Sequence, residues 1–229
     1  MRSHAELIEG VALHLAQMTG AHGCPYEALD SAAMVVRDSK RRGRCGMAGR
    51  LCRLGWSNRL GWYEGFRLLI AVSPKGVVTG FGFSSASVAD QPMAETFFAA
   101  RRHPISRLSS SVGSTTSGCY VADKGFEGAE NHERWLARYG ARIIHPPKRN
   151  SRKRSWPKRL RRWVASIRQI VETVYEKLLN AFGLHRERPH ELSGLRSRLA
   201  ARVALHNFCI WLNEQLGRPR LAFADLLGW

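Results

Sequence analysis

The sequence predicts an α/β protein with a mixed five-stranded sheet flanked by helices. Three observations predict it. Five short apolar runs are bounded by turn residues, helical periodicity separates the later runs, and a tight turn joins two of the earlier ones.

Residues 5–18 carry Leu7, Ile8, Val11 and Leu15 at helical spacing, and Gly20, Gly23 and Pro25 close that helix. Ala32–Arg37 reads as a buried strand that delivers Asp38 at its end, followed by a basic, glycine-dotted loop from Ser39 to Gly61. Tyr63–Val72 and Val77–Phe83 are strand-like runs joined by Ser-Pro-Lys-Gly, which predicts an antiparallel hairpin. Pro92–Arg102 begins with a proline in its first turn and ends in arginine, as helices do.

A Ser/Gly/Thr-rich linker (residues 109–118) leads to the short strand Cys119–Ala122, which ends in Asp123. Ala129–Tyr139 is a helix stopped by Gly140, and Arg142–His145 a strand stopped by Pro146 and Pro147. From Leu160 to Phe182 the apolar residues fall every three or four positions, the mark of a long amphipathic helix. Leu192–Leu216 is the closing helix. An antiparallel start followed by β-α-β units implies the mixed sheet with helices on its faces. The expected division is an N-terminal helical segment (1–31), a catalytic domain (32–216) and a tail (217–229).

The formal charge of +18 and isoelectric point near 10.8 favour a polyanionic partner, because neutralised phosphates release condensed counterions. No run reaches the roughly 18 apolar residues that a membrane span needs. The first apolar segment is broken by Glu6 and Glu9, unlike a signal peptide, so a cytoplasmic protein without membrane contact is expected. Five scattered cysteines and nine histidines show no zinc-ligand spacing, and the cysteines read as reduced thiols.

Asp38 and Asp123 each end a short apolar strand, and Glu172 sits on the flank of the long helix's apolar stripe. Converging carboxylates suit hard cations such as Mg²⁺. Two such ions about 3.5–4 Å apart stabilise both oxygens exchanged in a phosphoryl transfer. Spacing alone leaves a plain alternative open, since acids at strand ends also serve turns and a helix-flank Glu is commonly solvated. Lys148 to Arg162 holds nine basic residues and no acid, and a second basic cluster follows Asp38 directly. Both read as DNA-contacting segments, through Lys40, Arg41 and Arg42 in one and Lys148, Arg149, Arg152, Lys153 and Arg154 in the other, with Lys124 after Asp123 a further expected contact. Trp156 and Trp163 are available for base stacking, with core burial the better reading of Trp163. Asp90 reads as a turn or helix cap.

Val-Ala-Asp-Lys-Gly-Phe-Glu-Gly at 121–128 resembles the second-aspartate motif of bacterial insertion-sequence DDE transposases. Val-Val-Arg-Asp-Ser-Lys at 35–40 resembles their first-aspartate strand, and the run from Arg168 to Leu178 resembles the helix bearing their third acid. Tyr63–Leu68, Ala86–Asp90 and Leu199–Phe208 are further similar segments, in the family's order.

The resemblance implies a ribonuclease H-like fold, with two Mg²⁺ or Mn²⁺ ions held by Asp38, Asp123 and Glu172. Arg168 matches the family's arginine on that helix. The activity implied is cleavage and joining of DNA strands at transposon ends, with a DNA-induced homodimer possible. Two positions depart from the pattern: Ala165 stands where the family often has Tyr, and Leu179 where it has Lys. Only 37 residues precede Asp38, so a truncated remnant that binds DNA without cutting it is the rival expectation. A nuclease on the same fold is the third.

Overall fold

The computed structural model describes residues 4–37, 52–102, 118–147, 156–187 and 191–227. Helix α1 (His4–Met18) precedes strand β1 (Glu27–Arg37), and then come β2 (Arg53–Ser57), β3 (Gly61–Val72) and β4 (Val78–Ser85). Helix α2 (Asp90–Arg102), β5 (Cys119–Ala122), α3 (Ala129–Tyr139) and β6 (Arg142–Ile144) follow. The chain closes with α4 (Lys158–Glu176), α5 (Leu192–Gln215) and the short α6 (Ala224–Leu227).

The sheet runs β2-β3-β1-β5-β6, with β4 also paired to β3. β1 lies antiparallel to β3 and parallel to β5, and β5 lies parallel to β6. This is the mixed sheet of the ribonuclease H-like architecture. β2 pairs with Gly61–Gly65 and β4 with Phe66–Val72, so the two share one edge of the long β3 in tandem.

Two features differ from the sequence reading. The sheet has six strands, because residues 53–57 pair with β3 where a loop was expected. β1 begins at Glu27 rather than Ala32. The reason is shared: Glu27, Asp30 and Arg53 look out of place in an apolar run, but ladder pairing places them in strands, with Glu27 paired to the buried Arg101 and Arg53 left exposed.

Strand alternation splits the interior into two layers. Phe66, Leu68, Ile70 and Val72 of β3 face the main core, with Ala12 and Ala16 of α1, Val164, Ile167, Val171 and Val174 of α4, and Leu195, Leu199 and Val203 of α5. Leu69 and Ala71 face the other side, against Met93, Phe97 and Phe98 of α2 and Trp135 of α3. α4 presents its buried residues every three or four positions, which leaves the opposite stripe for other work. It runs on through a π-helical turn (Lys177–Ala181), as the continuous apolar stripe to Phe182 required.

A buried ion pair pins α2 to the sheet. Arg101 donates to Glu27 through Nη1 at 2.5 Å and Nη2 at 3.1 Å, and to the Tyr120 hydroxyl at 2.7 Å. Thr79 donates to the same carboxylate. Four free cysteines occur among the described residues, with Cys24 and Cys209 buried.

Candidate active site

Leu29 of β1 faces Ala122 of β5 in the parallel ladder, and that pair is the ladder's last. The next residues are Asp30 and Asp123. β1 continues past this point while β5 stops, and a cleft of about 830 Å³ opens in the gap. Alternation turns Asp30 away from Leu29, toward the α4 side of the sheet.

α4 forms the facing wall. Arg168, Glu172, Tyr175 and Leu179, at spacings of four, three and four, line the cleft along one helical face. The buried Tyr175 hydroxyl lies 2.7 Å from the Asp30 carbonyl oxygen and 3.0 Å from that of Leu68, and its single proton is shared between them. Burial pushes this phenol well above its ordinary pKa, so it stays a donor and fixes the helix against β1.

Asp30 holds its proton more tightly than an ordinary carboxyl. Burial, with the neighbouring Asp123 and Asp90 charges, pushes the Asp30 carboxyl up to about 7, against a weaker opposing pull from the Ser31 amide and Arg168. Arg168 Nη1 stands 3.5 Å from Asp123 Oδ1, and the Lys124 amide donates to the same oxygen at 2.6 Å. Thus Arg168 reaches across to Asp123, the acid it is far from in sequence. Among the described residues, no three His, Cys, Asp or Glu side chains stand close enough together to hold an ion. Asp30 and Asp123 nevertheless fit one: two oxygen-donor acids whose mutual repulsion a divalent cation would relieve. Glu172, exposed on α4, lines the same cleft.

Asp90 starts α2, but its carboxylate reaches over the sheet. It accepts from the Ser31 hydroxyl at 2.5 Å and from Arg67 Nη1 at 2.6 Å. Arg67 also donates to the Trp56 carbonyl at 3.2 Å. This bridge holds the β1 backbone one residue past Asp30.

Of the residues singled out from sequence, Asp123, Glu172 and Arg168 meet in this cleft, with Lys124 exposed beside it. Asp38, Lys40, Arg41, Arg42, Lys148, Arg149, Arg152, Lys153 and Arg154 lie outside the described residues, as does most of the Ser/Gly/Thr-rich linker. Trp163 packs edge-to-face on Tyr26 at 5.2 Å against the main core. Leu179 lines the cleft, and Lys177 instead sits over the Phe223 ring at 5.2 Å. Sequence reasoning missed Asp30, Ser31 and Arg67, and it read Asp90 as a turn or helix cap without its reach to Ser31 and Arg67. The available signal was an acid in the middle of an apolar run, Ala-Leu-Asp-Ser-Ala-Ala-Met-Val-Val, where burial without purpose is costly.

A family model described as "Transposase DDE domain" matches residues 28–208. No curated protein matches the chain. No described helix is long and apolar enough to cross a membrane.

Proposed function

Because the chain belongs to the transposase DDE domain family by its match over residues 28–208, we propose that it cuts DNA at the ends of a mobile element and joins the freed strands to target DNA. Its carboxylate set is Asp30, Asp123 and Glu172, with Asp30 in the role the sequence suggested for Asp38. The observation that carries this reading is the adjacency of Asp30 and Asp123 at the end of the β1–β5 ladder, facing Glu172 and Arg168 across the cleft.

Bound at these acids, two Mg²⁺ or Mn²⁺ ions would stabilise charge on the attacking and leaving oxygens of a phosphodiester. Asp30 must give up its proton to serve, which a cation beside it favours. Arg168 presents its guanidinium to the scissile phosphate from α4, with geometry suited to paired phosphate oxygens. Tyr175, Ser31, Asp90 and Arg67 keep the strand and helix in register around the acids. The basic residues Lys40, Arg41, Arg42, Lys124, Lys148, Arg149, Arg152, Lys153 and Arg154 hold the DNA backbone. A homodimer assembled on paired DNA ends, acting in the cytoplasm, completes the reading.

The test is plasmid cleavage by the full chain with Mg²⁺ or Mn²⁺, against Asp30→Asn, Asp123→Asn, Glu172→Gln and Asp38→Asn. Loss in the first three with retention in the fourth is expected. Retention in Asp30→Asn and loss in Asp38→Asn returns the role to Asp38. A chain that binds DNA yet cuts it under no ionic condition overturns the enzymatic reading in favour of an inactive remnant.

A further inference from the structure

We propose that the β2–β3 hairpin is a stacking site for an unpaired DNA base beside the cleavage centre, made by Trp56 and Trp62. The proposal rests on the transposase reading only for DNA as the partner. It concerns the indoles of the hairpin that lines one side of the carboxylate cleft, which the proposed chemistry does not use.

Trp56 and Trp62 face each other directly across the hairpin ladder. Their rings meet edge-to-face, with centroids 5.5 Å apart and planes at 71°. Both stay about half exposed, at 51% and 54%, although large apolar side chains gain most from burial. An edge-to-face pair leaves each indole at least one ring face that the other does not cover, and a nucleobase can stack there.

The hairpin stands between two openings. Trp56 and the turn residues Asn58 and Arg59 line the cleft that holds Asp30 and Asp123. Trp56 and Trp62 also line a second groove of about 640 Å³, whose other wall includes Asp90 and Gly125. Trp56, Arg67 and Asp90 belong to both, so the groove continues from the cleft. Arg67 ties the two mechanically, since it donates to the Trp56 carbonyl and to Asp90.

Charge selects the occupant. Residues 53–62 contain Arg53 and Arg59 and no acid, and both arginines are exposed. In a chain of net charge +18, that combination of arginine and open indole suits a single strand, whose phosphates and bases need both. A second copy of the chain, equally basic, would bring repulsion to the same surface.

The experiment measures binding of the full chain, without added divalent metal, to two oligonucleotides of one sequence. One is a blunt duplex, and the other carries a short single-stranded overhang containing 2-aminopurine. Because no cleavage is required, an inert carboxylate site leaves the readout intact. The expected result is quenching of 2-aminopurine by the native chain, and roughly tenfold or greater weakening on the overhang alone in Trp56→Ala/Trp62→Ala. Trp56→Phe/Trp62→Phe should recover most of the affinity, and matching circular dichroism melts would exclude misfolding. Equal weakening on both DNAs, or none on either, overturns the proposal. So does a native dimer that the alanine pair dissociates with DNA affinity unchanged, which would assign the indoles to a second copy.

Discussion

Asp30 and Asp123 come together because each follows the last ladder pair between β1 and β5, Leu29 with Ala122. The parallel register carries both acids to the same level of the sheet, where β5 ends and the cleft opens. Asp30 is held up to about 7 by its burial and by the Asp123 charge.

That shift predicts a pH dependence of stability. The folded-state value near 7 lies above the ordinary 3.8, so between these values the folded chain keeps a proton that the unfolded chain releases. Stability from this group therefore falls as pH rises from about 4 to 7, and above 7 the ionised Asp30 costs on the order of a few kcal/mol. Asp30→Asn should be the more stable protein at pH 8 and lose that advantage by pH 4. Urea melts across this range in metal-free buffer check it, and parallel profiles for the two proteins would refute it.

A divalent cation should reverse the penalty. At pH 8, Mg²⁺ or Mn²⁺ should raise the melting temperature of the native chain, by up to about 2.7 kcal/mol of stabilisation at a hundred times the dissociation constant. Asp30→Asn and Asp123→Asn should each respond far less. An equal rise in all three proteins would mean that the ions bind elsewhere.

On the opposite face of β1, the Glu27–Arg101 pair is buried almost completely, with side-chain exposures of 0% and 2%. Arg101→Met leaves the Glu27 carboxylate without its main partner and should destabilise the protein by about 3–5 kcal/mol. Glu27→Gln combined with Arg101→Met should restore part of the loss, because no buried charge then remains. Denaturant melts of the single and double variants give the coupling, and simple additivity would contradict it.

Gly65 of β3 lies close against the β1 backbone. A Cβ there would stand 2.2 Å from the Met34 carbonyl oxygen, which is backbone and cannot step aside. Gly65→Ala should cost more than about 2 kcal/mol by forcing the strands apart. Gly82→Ala, where a Cβ meets nothing within 4 Å, is the control and should change stability by under about 1 kcal/mol. Comparable losses in the two variants would show that strand glycine itself, rather than this contact, matters.

Much of the fold was legible in the chain. The periodicity of Leu160–Phe182, the Pro/Gly stops around α3 and β6, and the Ser-Pro-Lys-Gly turn each act through neighbours in sequence, so each element formed where local chemistry called for it. The strand end that precedes Asp123 and the helix that carries Glu172 and Arg168 were legible for the same reason. Asp30 was not legible as a site residue. It lies inside a strand, and its significance depends on which strand pairs with β1, in what register and where that partner stops. The same holds for Arg67 and Asp90, 23 residues apart yet in contact at 2.6 Å, and for β2, where the ladder to β3 puts the exposed Arg53 and Trp56 in a strand. Sequence by itself determined the helices, five of the six strands, the charge and the family; only the tertiary structure decided which acid stands beside Asp123, because register between distant strands follows from packing of the whole sheet.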